Sequence, residues 1–385
     1  MKICAIICEF NPFHNGHKYL LERAREISGC DKILCIMSGS FTQRGEMCIF
    51  DKYTRAEHAI LGGADCVIEL PTAFAVAPAE IFAKGAIKIL SSIPEVTCIA
   101  FGCESGDKQD FLKAVKILKN ESDKFKDVLT KKLDEGESYI KSYTCAFLSC
   151  GGDVNLLSSP NNVLGLEYAK ALDGLDIDVY PIKRLGSNYN DASLKENFSS
   201  ASAIRQNLTS SVLKTNVPPY VYKSLKKAKD VTSLANEAMR QRLFFTSAND
   251  LKRVYGCTEG LENKLKSLMY ESFDNIIAGA TSKRYSSARI KRILCANMLG
   301  LYADASAAYL NEQSYIKVLA VKAEGKDEIM SSVSKSIFPV IADGSANIIK
   351  LSETAHKCYL KDVFAHKLRS FILKTSNIGD SMILV

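Results

Sequence analysis

"KICAIICEFNPFHNGHKYLLERAREI" (residues 2–27) decides how the rest of the chain is read. Residues 2–9 form an almost unbroken apolar run of strand length, without polar alternation. Such a strand is covered on both faces, as in a parallel sheet. Asn11, Pro12, Asn15 and Gly16 interrupt the run, and from residue 16 apolar positions Leu20, Leu21, Ala24 and Ile27 recur at helical spacing. The order is strand, turn, helix, with His14 and His17 at the turn. A helix start aims free backbone N–H groups and the positive dipole end at one point, which suits an anion. Imidazoles placed there can donate to phosphoryl oxygens and stabilise charge that develops during substitution at phosphorus. Gly16 lets a ligand approach the backbone closely. His-x-x-His spacing alone also suits surface or capping histidines; the strand-turn-helix context favours the anion site.

Working outward, "DKILCIMSG" (31–39), "DCVIELP" (65–71) and "VTCIAFGCES" (96–105) are three more apolar strands. "KYTRAEHAILGGA" (52–64) and "PAEIFAKGAIKILSSI" (78–93) are helices between them. Strands alternating with helices at short spacing give an α/β fold with a parallel sheet. Sites in such sheets lie at the carboxyl ends of the strands. His14, His17 and Gly102 are therefore expected on one edge. Beyond residue 107 helices dominate, apart from a strand in "IDVYPIKRL" (177–185) and a mixed stretch, "YIKVLAVKAEGKDEIMSSV" (315–333). The expected division is a catalytic domain over 1–210 with a helical insertion and a mainly helical domain over 211–385.

The 385 residues exceed one ordinary core. No apolar run approaches the roughly 18 residues of a membrane span. The first run is too short for a signal peptide and ends at Glu9, Asn11 and Pro12, so a cytoplasmic location is expected. Thirteen cysteines occur without a C-x-x-C pair, and most lie in apolar runs. They read as small buried hydrophobes in a reducing compartment, with no structural metal site. A net charge of +7 permits a nucleic-acid partner without requiring one.

"FNPFHNGH" (10–17) resembles the H-x-G-H signature of the nucleotidylyltransferase superfamily, and neither G-x-x-x-x-G-K-[ST] nor G-x-G-x-x-G occurs. The resemblance narrows with "SGSFTQRGEMCIFDKYTRAEHAILGGADCVIELP" (38–71), "AEIFAKGAIKIL" (79–90), "AFGCES" (100–105), "SPNNVLGLEYAKAL" (159–172) and "TSKRYSSARIKRIL" (281–294). Together these stretches resemble the tRNA(Met) cytidine acetate ligase family. That resemblance implies a Rossmann-like catalytic domain and a C-terminal part that holds tRNA. It implies activation of acetate by ATP to acetyl-adenylate, with Mg²⁺ bridging the phosphates. The acetyl group then passes to N4 of the wobble cytidine of elongator tRNA(Met). It also implies an ATP-binding stretch over Ile7, Cys8, Glu9, Phe10, Asn11, Pro12, Phe13, His14, Asn15, Gly16, His17, Lys18, Tyr19 and Leu20, with His14 and His17 catalytic. Gly102, Asn162, Arg184 and Ser202 complete the implied ATP set.

Each of these has a plainer alternative. Gly102 suits a turn, Asn162 a helix start, and Arg184 a surface ion pair. "SSASAIR" (199–205) is similar to a phosphate motif, I-S-S-T-x-I-R, but Ala201 replaces a serine and Ser202 stands for the threonine. A serine-capped helix start with Arg205 one turn in also suits phosphates. Near the second strand end, Ser38, Ser40, Gln43, Arg44, Lys52 and Arg55 gather. Acetate needs a small pocket with one or two donors, which Lys52 or Arg55 can supply; the alternative is surface charge. His58 reads as a packed helix residue.

Between Thr281 and Leu294 lie five Lys/Arg and no acidic residue. On a helix, Ile290, Ile293, Leu294 and Asn297 form the inner stripe, with Arg289 and Arg292 on one flank. Lys283, Arg284, Arg289 and Arg292 are the expected tRNA contacts, with Tyr285 as a stacking ring. "YKSLKKAKD" (222–230) is a weaker candidate. Two other functions stay open: adenylylation of a small phosphorylated metabolite, and an idle ATP-sensing RNA-binding module.

Overall fold

The computed structural model describes residues 1–104, 107–185, 197–343, 347–375 and 379–385. Among these, eight strands make one sheet: β1 (Ile3–Cys8), β2 (Lys32–Ser38), β3 (Cys66–Leu70), β4 (Val96–Cys103), β5 (Asp178–Lys183), β6 (Ile316–Val321), β7 (Val340–Ile341) and β8 (Ile383–Leu384). The order is β5-β4-β1-β2-β3-β6-β7, and β8 pairs with β6. The first five strands are mutually parallel, and β6 joins β3 antiparallel. Every residue of β1, β3 and β6 is buried, as suits strands that are apolar apart from Glu69 in β3 and Lys317 in β6.

Six helices place or support the site: α1 (Asn15–Ser28), α2 (Lys52–Leu61), α3 (Pro160–Leu172), α4 (Ala201–Gln206), α5 (Ser287–Leu299) and α6 (Glu353–Ile372). The chain runs from β1 outward through β2 to β3, then returns to lay β4 on the other side of β1. That reversal makes the carboxyl ends of β1 and β4 a switch point, where a parallel sheet opens a crevice.

The boundary expected at residue 210 needs correction in one respect. Residues 316–384 supply β6, β7 and β8 to the same sheet, so it takes strands from both sides of that boundary. The intervening segment, from about 201 to 311, is helical throughout its regular structure. Antiparallel β6 covers the outer edge of β3, which would otherwise leave unpaired backbone groups.

A buried charge cluster fixes this return. Lys52 Nζ lies 2.8 Å from Glu69 Oε2, and both side chains are 1% exposed. Lys52 and Lys317 also pair with Asp380, at 3.3 and 3.4 Å. Tyr53 and Tyr359 donate their hydroxyls to the Asp380 carboxylate. Nearby, Asp362 accepts from the Thr72 N–H at 2.6 Å, and Arg369 donates to Cys48 O and Ile49 O. Eleven of the thirteen cysteines are buried free thiols and the other two are half-buried.

Candidate active site

β1 ends in the turn that carries the paired histidines. His14 caps α1, and its Nδ1 accepts from the Gly16 N–H at 3.0 Å. His17 Nδ1 accepts from the His14 N–H at 3.3 Å, which closes a reciprocal cap. A ring nitrogen that accepts carries no proton, so these bonds assign the proton of each neutral ring to Nε2. The rings stack with centroids 3.7 Å apart, and Phe10 and Phe13 pack against His17. Sequence-local bonds thus fix both tautomers and leave each ring an Nε2–H to offer.

The histidines line a cleft at the switch point. Ile7–Asn11 come from the end of β1, and Phe101 and Gly102 from β4. Arg184 follows β5, Ser200–Ser202 and Arg205 belong to the start of α4, and Thr42–Arg44 and Glu46 follow β2. Arg205 donates to Asn11 O at 2.7 Å and pairs with Glu46 at 2.7 Å. The Glu9 carboxylate accepts from the Gln43 N–H at 2.7 Å and from Ser38 Oγ at 3.1 Å, and its burial raises its pKa. A smaller apolar lobe continues past the histidines between Tyr19, Ile182, Leu185 and Phe198.

The expected site residues divide. Ile7, Cys8, Glu9, Phe10, Asn11, His14, His17, Leu20, Gly102, Arg184 and Ser202 share the cleft, while Gly16 and Tyr19 border the smaller lobe. Four residues of the stretch lie off both. Pro12 follows Asn11 in the turn, and Phe13 is core, packed where a Cβ on Gly62 would lie 2.3 Å from its ring. Asn15 donates to Thr215 O and Asn197 O, and Lys18 pairs with Glu22 on the surface.

Asn162 is displaced from its expected place. It is 1% exposed, accepts from the Glu104 N–H at 2.9 Å and donates to Asn155 O at 2.9 Å. Its neighbour Asn161 lines the cleft with Leu164 and Tyr168. Positions 161, 164 and 168 share one helical face of α3, whereas 162, 166 and 169 share the buried face. Asn161, Tyr168 and Glu46 were not singled out from sequence. The helical stripe through 161, 164 and 168 is the signal that would have found the first two.

The acetate donors expected at Lys52 and Arg55 are also relocated. Arg55 is 0% exposed and donates to the carbonyls of Glu9, Ser38 and Gly39, tying together the ends of β1 and β2. Lys52 belongs to the buried cluster with Glu69. His58 is packed as expected, against Phe50 and Ser224.

The basic stretch splits too. Lys283 is exposed, and exposed Arg284 pairs with Glu259. Arg289 folds over the Tyr285 ring at 4.6 Å and donates to Gly256 O. Arg292 turns inward rather than flanking a free face: its Nη1 donates to Gln43 O at 3.2 Å. Burial and neighbouring Arg289 lower its pKa to about 10.

Burial, with Arg184 and Arg205, lowers the His14 pKa to about 3, and burial with His14 and Arg184 lowers His17 well below its usual value. Burial takes His58 and His366 to about 4. All four are neutral in the fold at pH 5, while the unfolded chain takes up their protons near pH 6.5. Below that pH the unfolded state binds more protons, so stability falls as pH falls. Each histidine should cost about 1.4 kcal/mol per pH unit once its unfolded form is protonated. Urea midpoints should thus fall steadily from pH 7 to 5. A flat midpoint across that range would contradict the neutral assignment.

The family model of the HIGH nucleotidyl transferases matches residues 1–380. A tRNA(Met) cytidine acetate ligase of Clostridium novyi is 38% identical, covering 88% of this chain and 89% of that protein. One from Clostridium acetobutylicum is 36% identical, covering 98% of this chain and 97% of that protein. Among solved structures, apo Thermotoga maritima TmcAL superposes with a TM-score of 0.91 at 26% identity, covering all of both chains. The same protein bound with alpha-thio ATP gives 0.89, also at 26% identity and full coverage of both. With its strand order, its paired imidazoles and these likenesses along nearly its whole length, the chain belongs to the HIGH nucleotidyl transferase family, among the tRNA(Met) cytidine acetate ligases.

Proposed function

We propose that the cleft binds ATP and activates acetate for transfer to the wobble cytidine of elongator tRNA(Met), in the cytoplasm. The observation that carries the chemistry is the pair of locked imidazoles, each with its proton on Nε2, beside Arg184 and Arg205. An acetate oxygen attacks the α-phosphorus of ATP, and the bond to the bridging oxygen breaks, releasing pyrophosphate. His14 and His17 donate Nε2–H bonds to phosphoryl oxygens as charge shifts onto them. Neutral rings do this without giving up a proton. Arg184, Arg205 and Ser202 suit the rest of the triphosphate. The N4 amine of cytidine then attacks the acetyl carbonyl, AMP leaves with the anhydride oxygen, and the amine sheds a proton.

A cytidine in an anticodon loop is already close to single-stranded, so presenting it costs little. Exposed Lys283 and Arg284 are proposed phosphate contacts. Among the described residues, no group of three His, Cys, Asp or Glu is arranged to hold a metal. The cleft carboxylates are engaged, Glu9 by Gln43 and Ser38 and Glu46 by Arg205. The residues fit no dedicated metal cage, and Mg²⁺ is proposed only as a companion carried by the phosphates.

Adenylate formation needs only the cleft. Acetate-dependent exchange of labelled pyrophosphate into ATP should therefore be measurable without tRNA, and slower if RNA completes the site. Exchange at the same rate without acetate would favour adenylylation of another small metabolite.

A further inference from the structure

We infer that Arg292 and Gly45 are positioning residues of the ATP cleft, through which helix α5 sets the shape of one cleft wall. Residues 41–47 double back in a tight hairpin. Phe41 and Met47 bridge antiparallel, Thr42 N–H donates to Glu46 O at 2.9 Å, and Gly45 N–H donates to Thr42 O at 2.9 Å. One side of this hairpin presents Gln43, Arg44 and Glu46 to the cleft. The other side lies on the backbone of α5. Gly45 has φ +73°, and a Cβ there would sit 2.7 Å from Lys291 O and 2.8 Å from the Arg292 Cα. Only glycine permits that conformation and that approach without a shift.

Arg292 fastens the same contact. Gln43 is gripped at three points: its N–H by Glu9, its side-chain amide by Ala77 O at 3.2 Å, and its carbonyl by the Arg292 guanidinium. Three residues on, Glu46 holds Arg205, which also reaches Asn11 O. Contact with α5 thus passes through the hairpin to Glu9 and Arg205, two groups that line the cleft. The inference rests on the cleft being the ATP site, and it assigns Arg292 to ATP rather than to RNA. A hydrogen bond from a charged donor contributes about 1.5–3 kcal/mol.

The test is ATP binding by calorimetry on wild type, Arg292→Met, Arg292→Lys and Gly45→Ala, without tRNA. Acetate-dependent exchange kinetics and binding of a tRNA(Met) transcript are measured on the same proteins. Arg292→Met should weaken ATP about tenfold, the low end of that range. Gly45→Ala should weaken it at least as much, and Arg292→Lys less than Arg292→Met because it keeps a charged donor. The KM for ATP should rise with tRNA affinity within twofold of wild type. Partial unfolding would instead lower the active fraction, reducing kcat with KM unmoved, and would count against the inference. Unchanged ATP binding in Arg292→Met and Gly45→Ala overturns it. So does a loss of tRNA binding with ATP unmoved, which would make Arg292 an RNA contact. Wild-type protein that binds no ATP would overturn the cleft reading itself, and the inference with it.

Discussion

His17→Ala is expected to lower turnover roughly 10²- to 10³-fold, the usual cost of one preorganised donor. The reason is local. The ring stacks on His14 at 3.7 Å, and its Nδ1 is committed to the His14 N–H, so Nε2–H is the proton it has to give. Alanine removes that donor and the cap bond together. The lost cap bond is a weaker effect, about 0.5–2 kcal/mol of stability, which leaves the fold intact by circular dichroism. His17→Asn tests the chemistry more finely. Asparagine keeps an N–H donor on a shorter side chain, so it should recover part of the rate where alanine does not. Exchange kinetics at saturating ATP and acetate are the measurement. A rate within threefold of wild type in His17→Ala would remove the imidazole from the mechanism.

Glu69→Ala is expected to destabilise the protein by roughly 3–5 kcal/mol, the range for breaking a buried ion pair by removing one partner. Lys52 would keep only Asp380 at 3.3 Å, with Lys317 adding positive charge nearby. The melting temperature should fall by several degrees or more. The double change Lys52→Met with Glu69→Leu strands no cation and should recover part of the loss. The effect should reach the cleft indirectly, because Glu69 Oε1 lies 2.3 Å from where a Gly39 Cβ would be, and Gly39 O accepts from Arg55. A melting temperature within one degree of wild type would show that solvent or another carboxylate serves Lys52 equally well.

The strands that build the crevice were legible because each is a short apolar run bounded by Gly, Pro or acidic residues, and β1 to β4 follow one another closely. The histidine turn was legible for the same reason: its bonds run between residues two and three apart. What escaped depends on partners distant in sequence. Lys52 reads as a ligand or surface charge until Glu69 and Asp380 are beside it. Arg292 reads as an outer flank until the 41–47 hairpin covers it, since a helical period tells which residues share a face but not what faces them. Asn161 and Asn162 differ by one step around α3, and the choice turns on which stripe meets the core. β6 hides because nothing in "IKVLAV" says that its partner ended near residue 70.

That late pairing sets an order on synthesis. The outer edge of β3 is complete at Leu70, while the strand that covers it begins at Ile316. A ribosome adding 5–20 residues per second leaves that edge bare for roughly 10–50 s. Throughout that interval the nascent chain carries an unpaired strand that is apolar except for Glu69, the kind of edge that recruits other chains. Asp380, which closes the cluster over Lys52, emerges later still. The nucleotide-binding sheet is thus an early-built crevice whose seal is made about 250 residues after the strand it covers.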